Sequence, residues 1–369
     1  MPIEKRVDAL VEYSLYQRVV DPVTCLQLAE EAFKLSEQSG YEKGTGISLV
    51  QLGFQHWHLS QIDKGLEEVE EGLSIIKKAQ ANDFIADTNM IKAMIIWSKG
   101  DYERSFNIIY NTLKELEEIG VDEGVPWMYW CLGVFYYDLK DYTKSIENYE
   151  KALTLYERWE KPDPGCKCYS LVGLGSVYKA KGDFNQAIDY LNQGMEMSAK
   201  YERWIEQARA HFELGAIFKL QGDYERARTE LELSYAMRKE HNTKPGMVSS
   251  LLELSDIHLH RGSDDEALKL LTEALGYALE TNTKPKIYQC HERLSALWKK
   301  KGDYKKAFEH MENYYRIKSE VAGDEANNML KDLETKYATE KAEKEKEIER
   351  LKNVELKKAN EVIAEKNKE

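Results

Sequence analysis

The histidines are the first side chains to consider for chemistry, because two pairs of them lie close together in the sequence. His56 is two residues from His58, and His258 is two residues from His260. Residues at this spacing point to different sides of a helix, so neither pair is expected to share a metal ion. The pattern therefore predicts no histidine metal site.

The cysteines and the short motifs give no stronger indication of catalysis. Cys166 and Cys168 flank one lysine, which is a weak metal or redox pattern, and two ordinary thiols are the favoured interpretation. The sequence has no Gly-rich phosphate loop, no Gly-x-Ser-x-Gly motif and no His-Glu-x-x-His motif. The chain as given is therefore expected to be no enzyme and to bind no cofactor.

The unit that must position any functional side chain is a helical hairpin, most regular at residues 171–194. Its first helix has one apolar face at i, i+3, i+4 and i+7, formed by Leu171, Leu174, Gly175 and Tyr178. Gly182-Asp183 then predicts a turn, because glycine ends a helix in the left-handed conformation and aspartate caps the next helix. One hairpin cannot bury its apolar face, so it requires neighbours.

The same unit recurs at a near-constant spacing. A small residue follows each turn, and the steps between these residues are 40 positions, apart from one of 42, through Cys25, Gly65, Ser105, Ser145, Ala187, Ala227, Ala267 and Ala307. The sequence Asn-Thr-Lys-Pro also occurs twice, starting at Asn242 and, 40 residues later, at Asn282. The spacing predicts an all-α protein in which about eight hairpins form an α–α superhelix over residues 1–322.

These hairpins resemble the tetratricopeptide repeat, whose first helix carries a large residue, Leu-Gly and an aromatic residue. The best copies of that pattern are Tyr129, Leu132, Gly133 and Tyr136; Leu171, Leu174, Gly175 and Tyr178; and His211, Leu214, Gly215 and Phe218. The usual repeat has about 34 residues, so the longer period here resembles an extended variety. The resemblance implies a superhelical fold and no particular function.

Composition and charge exclude several classes of protein. The 369 residues carry a formal net charge of −13, and no basic face of the kind that binds nucleic acid is evident. No stretch is apolar for long enough to cross a membrane, and the N-terminus lacks the apolar core of a signal peptide. Five scattered cysteines suit a reducing compartment. We therefore expect a cytoplasmic protein without nucleic-acid or membrane partners.

The resemblance also implies a concave groove that binds a protein or a peptide and is lined by the first helix of each repeat. Its lining is expected to be aromatic and methionine-rich in repeats two to four and more polar in repeats five to eight. The residues assigned to it are Phe54, Trp57, Met90, Met94, Trp97, Trp127, Trp130, Tyr137, Lys179 and Lys219. Tryptophan, tyrosine and methionine are common at binding surfaces. The alternative is that the superhelix packs these rings into its own core.

Residues 323–369 differ from the repeats. From residue 324 onward they contain no proline or glycine and are dominated by Glu, Lys and Ala. Their sparse apolar residues begin like a heptad and continue with a spacing of 11, which predicts a nearly straight or slightly right-handed coiled coil. The predicted homodimer would form through Leu330, Leu333, Tyr337, Ile348, Leu351 and Val362. The alternative is a single solvated helix.

This C-terminal segment resembles the linker that follows repeat arrays in bacterial signalling proteins. There the linker leads to a histidine kinase, a nucleotide cyclase, a helix-turn-helix or a metal-dependent serine/threonine phosphatase. Residues 359–369 are similar to the segment that precedes the phosphatase type, and the sequence stops within the predicted helix. The favoured hypothesis is a sensor array whose output domain lies beyond residue 369. The alternatives are a scaffold or adaptor, and a regulator that resembles peptide-pheromone receptors.

Overall fold

The computed structural model describes residues 2–17, 22–59, 61–122, 124–158 and 164–320. The segment 323–369, with all six residues of the predicted coiled coil, lies outside these ranges. The helices are α1 (Ile3–Gln17), α2 (Pro22–Ser39), α3 (Glu42–His58), α4 (Ile62–Lys78), α5 (Ile85–Ser98), α6 (Tyr102–Ile119), α7 (Val125–Asp138), α8 (Tyr142–Tyr156), α9 (Pro164–Lys181), α10 (Phe184–Lys200), α11 (Trp204–Leu220), α12 (Tyr224–Glu240), α13 (Lys244–His260), α14 (Asp264–Glu280) and α15 (Lys284–Lys300). A short 3₁₀ turn, Asn82–Phe84, precedes α5, and residues 304–320 are also helical and are named α16.

The helices pair in chain order as antiparallel hairpins, and each hairpin stacks on the next. The odd-numbered helices, called the first helices, each pack against the even-numbered second helix that follows, and every second helix contacts the first helix of the next hairpin. The described ranges contain helices and turns and no strand. The predicted all-α superhelix of helical hairpins is therefore confirmed.

The turn inside most hairpins has the predicted chemistry. Gly182 has a φ of +82°, and Asp183 accepts a hydrogen bond at 3.2 Å from the backbone N–H of Gln186. The side chains of four other aspartates cap their helices in the same way: Asp101, Asp141, Asp223 and Asp303. Left-handed backbone is easy for glycine, and the aspartate satisfies an amide that the helix start leaves unpaired.

The two helices of a hairpin approach closely where their residues are small. A Cβ placed on Gly53 of α3 would lie 2.6 Å from the carbonyl oxygen of Gly65 in α4, and a Cβ on Gly65 would lie equally close to the carbonyl oxygen of Gly53. In the fifth hairpin a Cβ on Gly175 would lie 2.5 Å from Cγ of Leu191. Larger side chains at these positions would push the two helices apart.

We therefore expect Gly53→Ala to destabilise the protein by about 1–3 kcal/mol, because the added methyl group overpacks the contact between α3 and α4. The measurement is the free energy of unfolding in denaturant. Gly276→Ala is the matched control, since Gly276 lies within α14 and a Cβ there meets no atom within 4 Å. The control should gain about 0.5–1 kcal/mol from helix propensity, and an equal response of both variants would contradict the close-packing argument.

Candidate partner-binding groove

The first helices form the inner face of the array. Each first helix from α1 to α13 contacts the first helix of the next hairpin, and no comparable contact joins consecutive second helices within the described ranges. The array therefore curves with its first helices on the inside. We call the surface that they share the inner face, and it is the surface on which a groove was predicted.

Several of the predicted groove residues of repeats two to four are packed within the protein. Phe54, Met90 and Trp130 are only 8%, 6% and 8% exposed. The Trp97 ring is stacked on Phe135 of the next repeat, with ring centroids 4.0 Å apart and planes only 4° from parallel. These positions contribute to the packing between repeats.

Two tryptophans also connect consecutive first helices by hydrogen bonds. The indole N–H of Trp57 donates to Oγ of Ser98 at 3.1 Å, and the indole N–H of Trp97 donates to Oδ2 of Asp138 at 3.0 Å. Both bonds join residues 41 positions apart, so each leads from one repeat to the next. These bonds fix the position of each first helix relative to the next one. The sequence patterns did not indicate them.

A cluster of three rings lies further along the inner face and is named the aromatic cluster. Trp127 and Trp130 of α7 meet edge to face with centroids 5.3 Å apart, and Tyr169 of α9 lies 5.8 Å from Trp127 and 5.3 Å from Trp130. The Arg203 guanidinium lies over the Tyr169 ring, 5.7 Å from its centroid. Trp127, Tyr169 and Arg203 are partly exposed, so the cluster has a surface that a partner can contact.

Arg209 of α11 adds positive charge beside these rings. Burial raises the pKa of Tyr169, the charge of Glu206 raises it further, and Arg203 and Arg209 oppose that rise. Burial likewise raises the pKa of Tyr137, again against the charge of Arg209. The guanidinium of Arg209 is partly exposed and forms no ion pair with any described residue. It is thus available to an acidic group.

The inner face of repeats five to eight carries ion pairs between successive first helices, named the charge ladder. Lys179 donates to Glu213. Lys219 lies 2.5 Å from a carboxylate oxygen of Glu253 and 3.0 Å from Oδ2 of Asp256. Arg293 donates to Oδ1 of Asp256 at 2.9 Å. The predicted groove residues Lys179 and Lys219 therefore have carboxylate partners.

Sequence reasoning missed Arg203, Arg209, Glu213 and Arg293. The ladder could have been found from opposite charges spaced slightly less than one repeat apart, since its hydrogen-bonded partners are 34 and 37 residues apart. The groove role of all ten predicted residues stays a prediction. Met94 is partly exposed and packs against the hydrophobic core. Of these ten, Trp127 has the clearest combination of exposure and neighbouring rings.

The histidine pairs lie in α3 and α13, and Cys166 and Cys168 lie in α9. All five cysteines are buried and none forms a disulfide. His56 contacts Glu68 through Nδ1 at 2.5 Å and Lys64 through Nε2 at 3.0 Å, and His260 stacks on Tyr224. No group of three or more potential metal ligands occurs among the residues that the structure describes.

Asp256 provides a pH-dependent test of the charge ladder. Burial opposes its ionisation, but hydrogen bonds and charge from Arg293 and Lys219 outweigh that effect and hold its pKa below the ordinary value. A lowered folded-state pKa stabilises the protein above the unfolded pKa of about 4, and this contribution is lost as the pH falls further. We expect Asp256→Asn to cost about 1–2 kcal/mol at pH 7.

The measurement is the unfolding free energy of the wild type and of Asp256→Asn between pH 7 and pH 3. The difference should shrink as the pH falls below about 4, because protonation of Asp256 in the unfolded wild-type chain then offsets the advantage of the ionised, paired carboxylate in the folded state. Asp265→Asn is the control, since Asp265 pairs with Lys301 at the exposed surface and such pairs contribute little. A difference that stays constant with pH would contradict the assignment.

Family comparison agrees with the repeat pattern in the middle of the chain. A model described as tetratricopeptide repeat matches residues 124–200 and 167–240, and a second model with the same description matches residues 221–282. The Photosystem I assembly protein Ycf3 of Acaryochloris marina (strain MBIC 11017) is 36% identical over 58 residues. That match covers 16% of this chain and 32% of the relative, so the chain spans about a third of the length of this curated protein.

Three solved structures are similar over most of the chain. A STAND signal-transduction ATPase with a tetratricopeptide repeat sensor from Pyrococcus horikoshii has a TM-score of 0.62 at 15% identity, covering 88% of this chain and 48% of that chain. The apo quorum sensor NprR from B. thuringiensis has a TM-score of 0.61 at 12% identity, covering 86% and 88%. The Rap conjugation gene regulator of plasmid pLS20, in complex with the Phr* peptide, has a TM-score of 0.58 at 15% identity, covering 74% and 73%.

The low sequence identities mean that these three structures show the fold alone. No helix among the described residues is both long enough and apolar enough to cross a bilayer. Residues 124–282 match the family models directly, and hairpins of the same kind extend the array on both sides. Residues 124–282 thus consist of tetratricopeptide repeats, and the hairpins on both sides continue the same superhelical fold.

Proposed function

We propose that this chain is a regulatory, non-catalytic binding module whose inner face holds an extended peptide or a protein segment. The observation that carries the proposal is the aromatic cluster of Trp127, Trp130 and Tyr169, whose Trp127 and Tyr169 are partly exposed, with Arg209 beside it. Aromatic side chains and arginine dominate the energy of protein interfaces. A partner with an apolar side chain followed by an acidic group would suit this arrangement.

The charge ladder limits where the partner binds. Lys179, Lys219 and Arg293 are already paired with carboxylates, so a ligand would have to displace existing ion pairs to use them. Separating such a pair leaves a partly buried charge without a partner, which costs free energy. The aromatic cluster and Arg209 therefore form the recognition region, and the ladder stabilises the inner face beyond it.

Two of the similar proteins support a peptide ligand and a regulatory role. The NprR structure is that of a quorum sensor, and the Rap regulator was solved with the Phr* peptide bound. In the proposed function, binding on the inner face alters the stacking of the repeats and so the arrangement of the last hairpin. Three points remain predictions from sequence: that the chain controls a further output domain, that this domain is a phosphatase, and that the chain dimerises through residues 323–369.

The test uses the full chain to select binders from a displayed library of random peptides, followed by affinity measurement of the selected peptides. Trp127→Ala should weaken binding by about 2 kcal/mol, roughly thirtyfold in Kd, because the ring is a central contact. Selection on the Arg209→Glu variant should yield fewer peptides with an acidic residue, because the new carboxylate repels it. Leu279→Ala is the control, since Leu279 is exposed on the second helix α14, and it should leave binding unchanged.

The free energy of unfolding of each variant shows whether the substituted side chain acts in packing or in partner binding. Trp97→Ala should lower the unfolding free energy by about 3 kcal/mol, because the ring is stacked on Phe135 and meets Phe106 edge to face. Trp127→Ala should cost less, since its ring meets Trp130 edge to face and Tyr169 at a tilt and has no stacked partner of the kind that Phe135 is for Trp97. If selected peptides bind wild type and Trp127→Ala equally well, the proposed recognition region is wrong.

A further inference from the structure

The last described helix has an apolar face that nothing in the described ranges covers. Tyr304, Phe308 and Tyr315 of α16 are 70%, 69% and 64% exposed. Positions 304, 308 and 315 lie on one side of the helix, since they are separated by one, two and three turns. We call these three side chains the terminal face.

The corresponding positions are covered in the preceding second helices. Forty residues before Phe308 and Tyr315 are Leu268 and Leu275, which are partly buried and pack against the hydrophobic core. In the third hairpin the corresponding residue is Phe106, which is 3% exposed and meets Phe135 of α7 edge to face at 5.7 Å. In these two hairpins the face is therefore covered, and each second helix from α2 to α14 contacts the first helix of the next hairpin.

Three contacts show which side of a first helix packs on the preceding second helix, and we call it the covering side. Positions are counted from the glycine of the Leu-Gly pair, or from the residue that replaces this glycine in a given repeat. Phe135, at +2 from Gly133, packs on Phe106. A Cβ on Gly173, at −2 from Gly175, would meet the Tyr149 ring of the preceding second helix. A Cβ on Gly246, at −9 from residue 255, would meet the Arg238 side chain of the preceding second helix. Positions −9, −2 and +2 form one side of a helix, which also includes −5.

In α15 the covering positions −5, −2 and +2 are Cys290, Arg293 and Leu297, of which Cys290 and Leu297 are buried. One period of 40 residues later, the same positions are Leu330, Leu333 and Tyr337, and position −9 is Ala326. The apolar residues at the start of the C-terminal segment therefore repeat the covering side of a first helix in register.

We propose that residues 324–337 form a further first helix that docks on the terminal face of the same chain. By analogy with the contacts above, Tyr337 packs on Phe308 and Leu333 packs beside Met311. This proposal goes beyond the proposed function and does not depend on it. It reassigns Leu330, Leu333 and Tyr337 from a dimer contact to an intramolecular one.

The chain itself favours its own segment as the occupant. Residues 281–283 connect α14 to α15, and a connection of the same length, 321–323, leads from residue 320 to Asp324. Asp324 and Glu325 suit the start of a helix, where negative charge is favourable. The remaining side of residues 324–337 is polar, as the outer surface of a terminal repeat must be. Covalent attachment also gives this segment a high effective concentration at the terminal face.

Cross-linking of the full chain tests the docking. The variant Phe308→Cys/Tyr337→Cys is treated with a short bismaleimide, to which the five buried native cysteines are inaccessible. The expected product is an intrachain cross-link at monomer mass whose yield does not change on dilution. The matched control is Phe308→Cys/Ile348→Cys, because Ile348 lies 11 residues further on, about 16 Å along a helix, and it should cross-link poorly.

Three outcomes would overturn the proposal. An interchain product that declines on dilution would make a second copy the occupant. Equal yields from the two pairs, or no product from the Tyr337 pair, would show that residues 324–337 do not dock. Amide hydrogen exchange of the wild-type chain provides a second measurement in case a variant misfolds. Residues 326–337 should be protected to about the same extent as α16, and rapid exchange across them would overturn the proposal as well.

Discussion

Each second helix has an apolar side that only the next first helix can cover, and the rest of the structure depends on this constraint. Phe106 shows it directly, because its buried ring meets both Phe135 and Tyr136 of the following hairpin. No hairpin is therefore stable alone, and the array acts as one folding unit whose weakest points are its two ends. Among the described residues, the terminal face of α16 is the place where the same constraint calls for a further covering helix.

Two kinds of close contact shape the array. Contact between Gly53 and Gly65 brings α3 and α4 nearly to backbone contact, and successive first helices touch each other along the array. Trp57 and Trp97 make hydrogen bonds across those contacts. The proposed recognition residues are partly exposed side chains outside these bonds, with Trp127 foremost among them.

The inner face is divided into two chemically different parts. Aromatic rings dominate up to Tyr169, and ion pairs between first helices follow from Lys179 to Arg293. In a partly buried setting such pairs fix geometry more than they add stability. A partner bound at the aromatic cluster, as the proposed function has it, would therefore lie beside repeats that ion pairs hold in register.

The sequence alone determined the repeat period, the turns and the helix caps, because these depend on residues close together in the chain, such as Gly182 and Asp183. It did not determine which tryptophans are packed and which are exposed. The partner of Trp97 is Phe135, 38 residues away, and the first helices are buried on several sides, so their hydrophobic pattern does not define one face. The charge ladder likewise joins residues 34 and 37 positions apart. Only the stacking of whole hairpins sets the rotation of each first helix, and that rotation decides whether a given side chain lies in the core or on the inner face.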